Sequence, residues 1–176
     1  MASQYYLKIR LDPHYQRFLR THFDCETEVF EFPSRHRFNT ILEFLVITRP
    51  RDYQEPENDN WLFRIALPNF ERKNAAHFRY LSKEKEAIFK AKIKAYYDDI
   101  ILDEIRNLLR RPDKTEDGNK LFFDRQECTQ ILIEEFKFNK DDYDAFDRLY
   151  KLYTRYKRTE RNRRFWCRNK GKGQKI

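Results

Sequence analysis

A chain of 176 residues with 37 Lys+Arg against 29 Asp+Glu carries a net charge of +8, and it holds only 3 glycines, Gly118, Gly171 and Gly173. The glycine-free first 117 residues exclude a Walker-type phosphate loop and a dinucleotide fingerprint, since both need glycine where backbone N–H groups close on phosphate. An aromatic fraction of 16% within 40% hydrophobic residues is enough to bury a core, and the length suits one domain with an appendage.

The first element is a strand over Tyr5–Leu11, where Tyr5, Leu7, Ile9 and Leu11 alternate with Tyr6, Lys8 and Arg10. Asp12–Pro13 supplies an N-cap and a first helical residue, and Tyr15, Phe18, Leu19 and His22 line one face of the helix that follows. A short strand is expected at Thr27–Phe32. Ser34 caps a helix from Arg35 to Thr48, with Phe38, Ile41, Leu42 and Leu45 on its apolar side and Arg49–Pro50 ending it. Phe44–Leu45–Val46–Ile47, the longest apolar run, reads as a core element and falls far short of the roughly 20 residues a membrane crossing needs.

Residues 51–60 form a polar loop, and Trp61–Leu67 reads as a strand with Trp61, Phe63, Ile65 and Leu67 facing one way. A long helix over Lys83–Arg110 carries a stripe of Ile88, Phe89, Ile93, Tyr96, Tyr97, Ile100, Ile101, Ile105, Leu108 and Leu109. That stripe serves either the chain's own core or a partner helix, including one from a second copy. Residues 112–120 are a polar linker. Asp124 with Glu127 then matches a capping box, opening a helix that buries Cys128, Ile131, Leu132 and Phe136. Phe138–Asn139–Lys140 forms a turn, and Tyr143, Phe146, Leu149, Tyr150, Tyr153 and Tyr156 belong to a final helix.

The fold class is therefore α+β and predominantly helical: a body over 1–111, a linker over 112–120, a helical hairpin over 121–164 and a basic tail over 165–176. The last eight residues are expected to be mobile.

Charge is unevenly spread along this layout. Residues 148–176 hold 12 basic residues against one acid, Glu160, a net of +11, which leaves −3 for residues 1–147. Concentrated cation is the footprint of a polyanion contact, because each neutralised phosphate releases condensed counterions. The candidate nucleic-acid-binding residues are Arg148, Lys151, Arg155, Lys157, Arg158, Arg161, Arg163, Arg164 and Arg168. Phe165 and Trp166 interleave with the arginines and are candidates for stacking on unpaired bases. Alternatively they anchor the tail to the body.

Two capped helices with basic side chains on the second resemble a helix-turn-helix over about residues 124–160. The small residue and turn glycine usual in that motif are missing, so a plain helical hairpin with a basic tail explains the pattern as well. In the first reading, Arg148, Lys151, Arg155 and Arg158 make one row along a groove wall.

No chemistry of other kinds announces itself. His14, His22, His36 and His77 have no metal-ligand spacing and read as ordinary surface or half-buried histidines. The pairs Asp98–Asp99, Asp103–Glu104 and Asp141–Asp142 read as solvated helix faces, not as a two-metal site. No nucleophile motif is visible, so the expectation is a protein without catalytic residues, metal or cofactor. Cys25, Cys128 and Cys167 are odd in number and lack CxxC spacing, and Met1–Tyr5 has no signal character. Both point to a reducing, cytoplasmic setting.

The succession Tyr-Tyr-Leu-Lys-Ile-Arg-Leu, Ser-Arg-His-Arg-Phe-Asn-Thr-Ile-Leu, Trp-Leu-Phe-Arg-Ile-Ala-Leu-Pro and Asp-Asp-Tyr-Asp-Ala-Phe resembles small uncharacterised phage and mobile-element proteins of Bacteroidota. The resemblance implies DNA handling in the bacterial host cytoplasm, or a place in a virion. It transfers no catalytic residue.

Overall fold

The computed structural model describes residues 6–54, 61–67, 79–110, 113–114, 120–121, 124–138 and 143–170. They form an α+β fold that is 62% helical. Two compact units follow one another, Met1–Tyr97 and Asp98–Ile176.

The first unit is built on three strands: β1 (Tyr6–Arg10), β2 (Val29–Phe30) and β4 (Leu62–Ala66). β4 lies in the middle, antiparallel to β1 and parallel to β2. Alternation works as the pleat requires: Leu7 and Ile9 of β1 and Phe63 and Ile65 of β4 are buried, while Tyr6 and Arg10 are exposed. Trp61 departs from the expected one-sided row. It lies just before the strand, lends its carbonyl to the Leu11 N–H at 2.7 Å, and is exposed.

Helix α1 (Pro13–His22) starts as its sequence dictates, with Asp12 accepting from the His14 N–H at 2.9 Å and proline where no N–H is needed. Helix α2 (Arg37–Leu45) is shorter than the span Arg35–Thr48 and is capped by His36 instead of Ser34. Arg35 takes a left-handed φ of 65°, which places a turn where the first helical residue was expected. At the other end the β-branched run Val46–Ile47–Thr48 leaves the helix, and β3 (Ile47–Thr48) pairs antiparallel with β5 (Arg79–Tyr80). Phe44 is consequently 80% exposed instead of belonging to the core.

Helix α3 (Lys83–Arg110) runs for 28 residues. In the first unit its Phe89, Ile93 and Tyr97 are buried, with Phe89 edge-on to Phe32 and Phe38 and Tyr97 edge-on to Phe18. In the second unit Ile101 and Ile105 continue the stripe. The stripe thus serves the chain's own core. Ile88 alone of its large apolar members stands out as exposed.

Residues expected as a plain linker carry a small hairpin, β6 (Asp113–Lys114) paired antiparallel with β7 (Lys120–Leu121). Helix α4 (Arg125–Glu135) opens on the expected capping box and buries Cys128, Thr129, Leu132 and Ile133; Ile131 is only half-buried. Helix α5 (Tyr143–Lys170) packs Ala145, Leu149, Leu152 and Tyr153 into the same unit. Among the described residues no helix is long and apolar enough to cross a membrane.

Candidate nucleic-acid interface

The candidate interface follows from how α5 is built along its length. At about 1.5 Å per residue its 28 residues span about 42 Å. Apolar residues recur at helical spacing as Leu149, Leu152, Tyr153 and Tyr156, and the next positions of that series are Glu160, Arg163, Cys167 and Lys170. The apolar stripe therefore ends at Tyr156 while the helix continues for four more turns. Among the described side chains, the last buried one on α5 is Tyr153. Residues 157–162, which follow Tyr156, include no apolar residue, and half of the segment from there to Lys170 is Arg or Lys.

The root of this arm is held electrostatically. Lys151 pairs with Asp147 one turn back, and Arg155 Nη1 lies 3.8 Å from Asp98 Oδ2 of α3. Arg106 sits over the Tyr156 ring at 5.7 Å, and Lys157 Nζ lies 5.6 Å from the Tyr153 centroid. The Thr154 and Thr159 hydroxyls donate back to the Tyr150 and Arg155 carbonyls at 2.8 and 3.0 Å, so both polar side chains are satisfied within the helix.

The candidate residues fall into three groups. Lys151, Arg155, Lys157, Arg158 and Arg161 are exposed and together occupy the side of α5 away from its buried residues. Arg148 is half-buried at the edge of that side. Arg163, Arg164, Phe165, Trp166 and Arg168 lie on the helical backbone of α5, which revises the basic tail over 165–176 into helix as far as Lys170, but their side chains fall outside the described residues. The expected mobile end at 169–176 changes likewise: 169–170 are helical, and 171–176 lie outside the described residues.

The helix-turn-helix reading meets a longer connection than it needs. Helix α4 ends at Glu135 and α5 begins at Tyr143, leaving residues 136–142 between them, against a turn of three or four residues in that motif. Within it Lys137 adopts φ 51°, the left-handed conformation that glycine takes most easily, and the Phe138 N–H returns to the Ile133 carbonyl at 2.9 Å. Phe136 and Phe138 are buried and stack at 6.0 Å, which gives the turn an apolar floor. Residues 139–142, including the expected Asn139–Asp142 cap, lie outside the described residues.

No protein-family model matches this chain, and no curated protein or solved structure matches it. The candidate interface therefore rests on its residues alone.

Charge sharpens once it is divided by unit. Residues 1–97 carry 17 basic and 13 acidic residues, a net of +4, and residues 98–147 carry 8 and 15, a net of −7. The +11 of residues 148–176 thus belongs to the same unit as the most acidic stretch. Asp98 and Asp147 steady the root of α5. Elsewhere the acids crowd one another: Glu135 is held above the usual carboxylate range by burial and by Glu104 nearby.

Several other chemistry-bearing residues make contacts within the fold. His14, expected at the surface or half-buried, is buried, because it lies on the inward face of α1 with its ring edge-on to Tyr15 and Tyr97. His22 Nε2 and the Tyr96 hydroxyl share a hydrogen bond of 2.8 Å, and His36 caps α2. His77 lies outside the described residues. No group of three or more His, Cys, Asp or Glu able to hold a metal ion occurs among the described residues. Cys128 is buried, and its thiol is pushed up to about 11 by that burial.

Proposed function

We propose that this chain is a non-enzymatic nucleic-acid-binding protein that contacts phosphates through the exposed side and distal turns of α5, with DNA favoured over RNA. The observation that carries the reading is the persistence of α5 to Lys170 beyond the end of its apolar stripe at Tyr156, with net charge of +11 over residues 148–176. Residues 157–162 present no apolar side chain for packing to stabilise. A polyanion would supply what the fold does not, since phosphates neutralise the row and the released counterions favour the complex. We extend the reading to a regulator that handles DNA in a phage or mobile element.

The alternative, a phage structural or assembly protein that uses the α3 face and the basic arm for protein contacts, has less to rest on. Phe89, Ile93, Tyr97, Ile101 and Ile105 are each 1% exposed or less, so little of that face is left for a partner helix.

A gel-shift panel of duplex DNA, single-stranded DNA and RNA tests the reading, using the full chain and a truncation after Tyr156. Truncating there spares Leu149, Leu152 and Tyr153, whose loss would unfold the second unit. The full chain is expected to bind duplex DNA with affinity falling steeply between about 50 and 200 mM salt, and the truncation to bind poorly. Salt-insensitive binding, or equal binding by the truncation, refutes the phosphate contact. Incubation with DNA and Mg²⁺ or Mn²⁺ is expected to leave the substrate intact.

A further inference from the structure

Helix α3 has a second side. In the first unit Phe89, Ile93 and Tyr97 turn one face of it into the core, and on the opposite side Glu84, Ala87, Ile88, Ala91, Lys92 and Ala95 are all exposed. Ile88 is the large apolar side chain of this row and is 49% exposed. A single exposed isoleucine asks for no partner by itself. What distinguishes Ile88 is the charge placed around it.

Glu84 and Lys92 lie four residues to either side of Ile88, so the three form one ridge of the helix. Neither charge is met along its own helix. The positions three and four residues beyond Glu84 are Ala87 and Ile88, and those around Lys92 are Ile88, Phe89, Ala95 and Tyr96. Glu86 and Lys90, by contrast, pair with each other one turn apart. Among the described residues, neither Glu84 nor Lys92 has an ion-pair partner.

We propose that this side of α3 is a self-association surface, taken by the same ridge of a second copy of the chain running antiparallel to it. A two-fold axis at Ile88 sets that residue on its own counterpart and brings Glu84 of each protomer to the partner's Lys92. An isologous contact has to be self-complementary, and an acid and a base at equal and opposite steps from one apolar residue meet that condition. A parallel pairing would set glutamate on glutamate and lysine on lysine, which like charge opposes. Ala87, Ala91 and Ala95 at the sides are too short to hold a second helix away. One helix face makes a small interface, under about 1,200 Å² in total, so the dimer is expected to be transient, with a Kd on the order of 100 µM.

The test is sedimentation equilibrium on the full chain, free of nucleic acid, from about 10 to about 1,000 µM, a range that brackets that constant. The wild type is expected to rise from monomer mass towards dimer mass. Ile88→Glu, which sets two carboxylates against each other at the axis, should weaken the dimer about tenfold or more. Glu84→Lys and Lys92→Glu should each weaken it as well, because each turns both ion pairs into like-charge pairs. An equimolar mixture of these two variants should recover wild-type association, and so should the exchange of both residues in one chain. Phe44→Ala removes a large apolar side chain that is 80% exposed on α2, and it should leave association unchanged. Monomer mass throughout overturns the proposal. So does a dimer that Ile88→Glu leaves intact or that Phe44→Ala abolishes, or a mixture of the charge variants no more associated than either alone, circular dichroism having shown each variant folded. Because no nucleic acid is present, the result is independent of the α5 reading.

Discussion

His36 accepts the Phe38 N–H through its Nδ1 atom at 3.3 Å, so an imidazole caps α2. The cap works only while Nδ1 keeps its lone pair. Burial, the Arg37 charge and His22 all hold His36 below the ordinary histidine value of 6.5. A cation here would also stand at the positive end of the helix.

A depressed folded value means that the native state binds fewer protons than the unfolded chain. The His36 contribution is therefore complete above pH 6.5 and is lost as pH falls through that value towards the lower folded one. Urea denaturation from pH 8 to pH 5 should show this decline. His36→Asn, which caps without titrating, should flatten it. An unchanged pH profile in that variant would show that other groups set the dependence.

The capping box at α4 makes a second stability prediction. Asp124 Oδ1 accepts the N–H groups of Gln126 and Glu127 at 2.7 and 2.9 Å, and Glu127 Oε2 accepts the Asp124 N–H at 2.7 Å. Asp124→Ala should cost about 1 kcal/mol in chemical denaturation, and Asp124→Ser much less. Equal losses from the two would mean that the charge, not the cap, matters.

How far the sequence foretold these elements depended on what kind of information each needed. Asp12–Pro13 and Asp124–Glu127 were legible because capping is local: the residues that satisfy the first-turn N–H groups lie within three positions of one another. The α3 stripe was legible by period. The end of α2 was not, because Ile47–Thr48 leaves the helix to pair with Arg79–Tyr80, about 30 residues away. The central place of β4 was hidden for the same reason. At the interface, the density of cations in residues 148–176 was plain in the composition, but the helical state of 165–170 was not. Phe165–Trp166–Cys167 are consecutive and Arg168–Asn169–Lys170 are polar, so neither gives the three-to-four-residue spacing from which helix could be read.

The two described cysteines should differ in reactivity. At Cys25 half-burial works to raise the thiol, yet hydrogen bonds from Thr27 and the Glu31 and Thr27 backbone, with Arg20 nearby, outweigh it and leave it below its ordinary value. Cys128 is buried and raised to about 11. Iodoacetamide at pH 7.5 followed by peptide mass spectrometry should find Cys25 alkylated well before Cys128 in the folded chain. Similar rates would mean that α4 opens readily from α5.

The arm predicts an order among its own cations. Lys151 and Arg155 already face carboxylates, Asp147 and Asp98, so a phosphate must compete with an existing partner at each. Arg158 and Arg161 are exposed and hold no carboxylate among the described residues. Among the described residues, a phosphate at these two meets no such exchange. Removing Arg158 and Arg161 should therefore weaken duplex binding more than removing Lys151 and Arg155, and the salt slope should fall by about 0.9 for each cation that had neutralised a phosphate. Titrating the two double-alanine variants from about 50 to 200 mM salt decides the matter. If Lys151→Ala with Arg155→Ala proves the more damaging, the DNA lies at the root of α5, where the helix still packs on its own unit, and the distal turns serve another purpose.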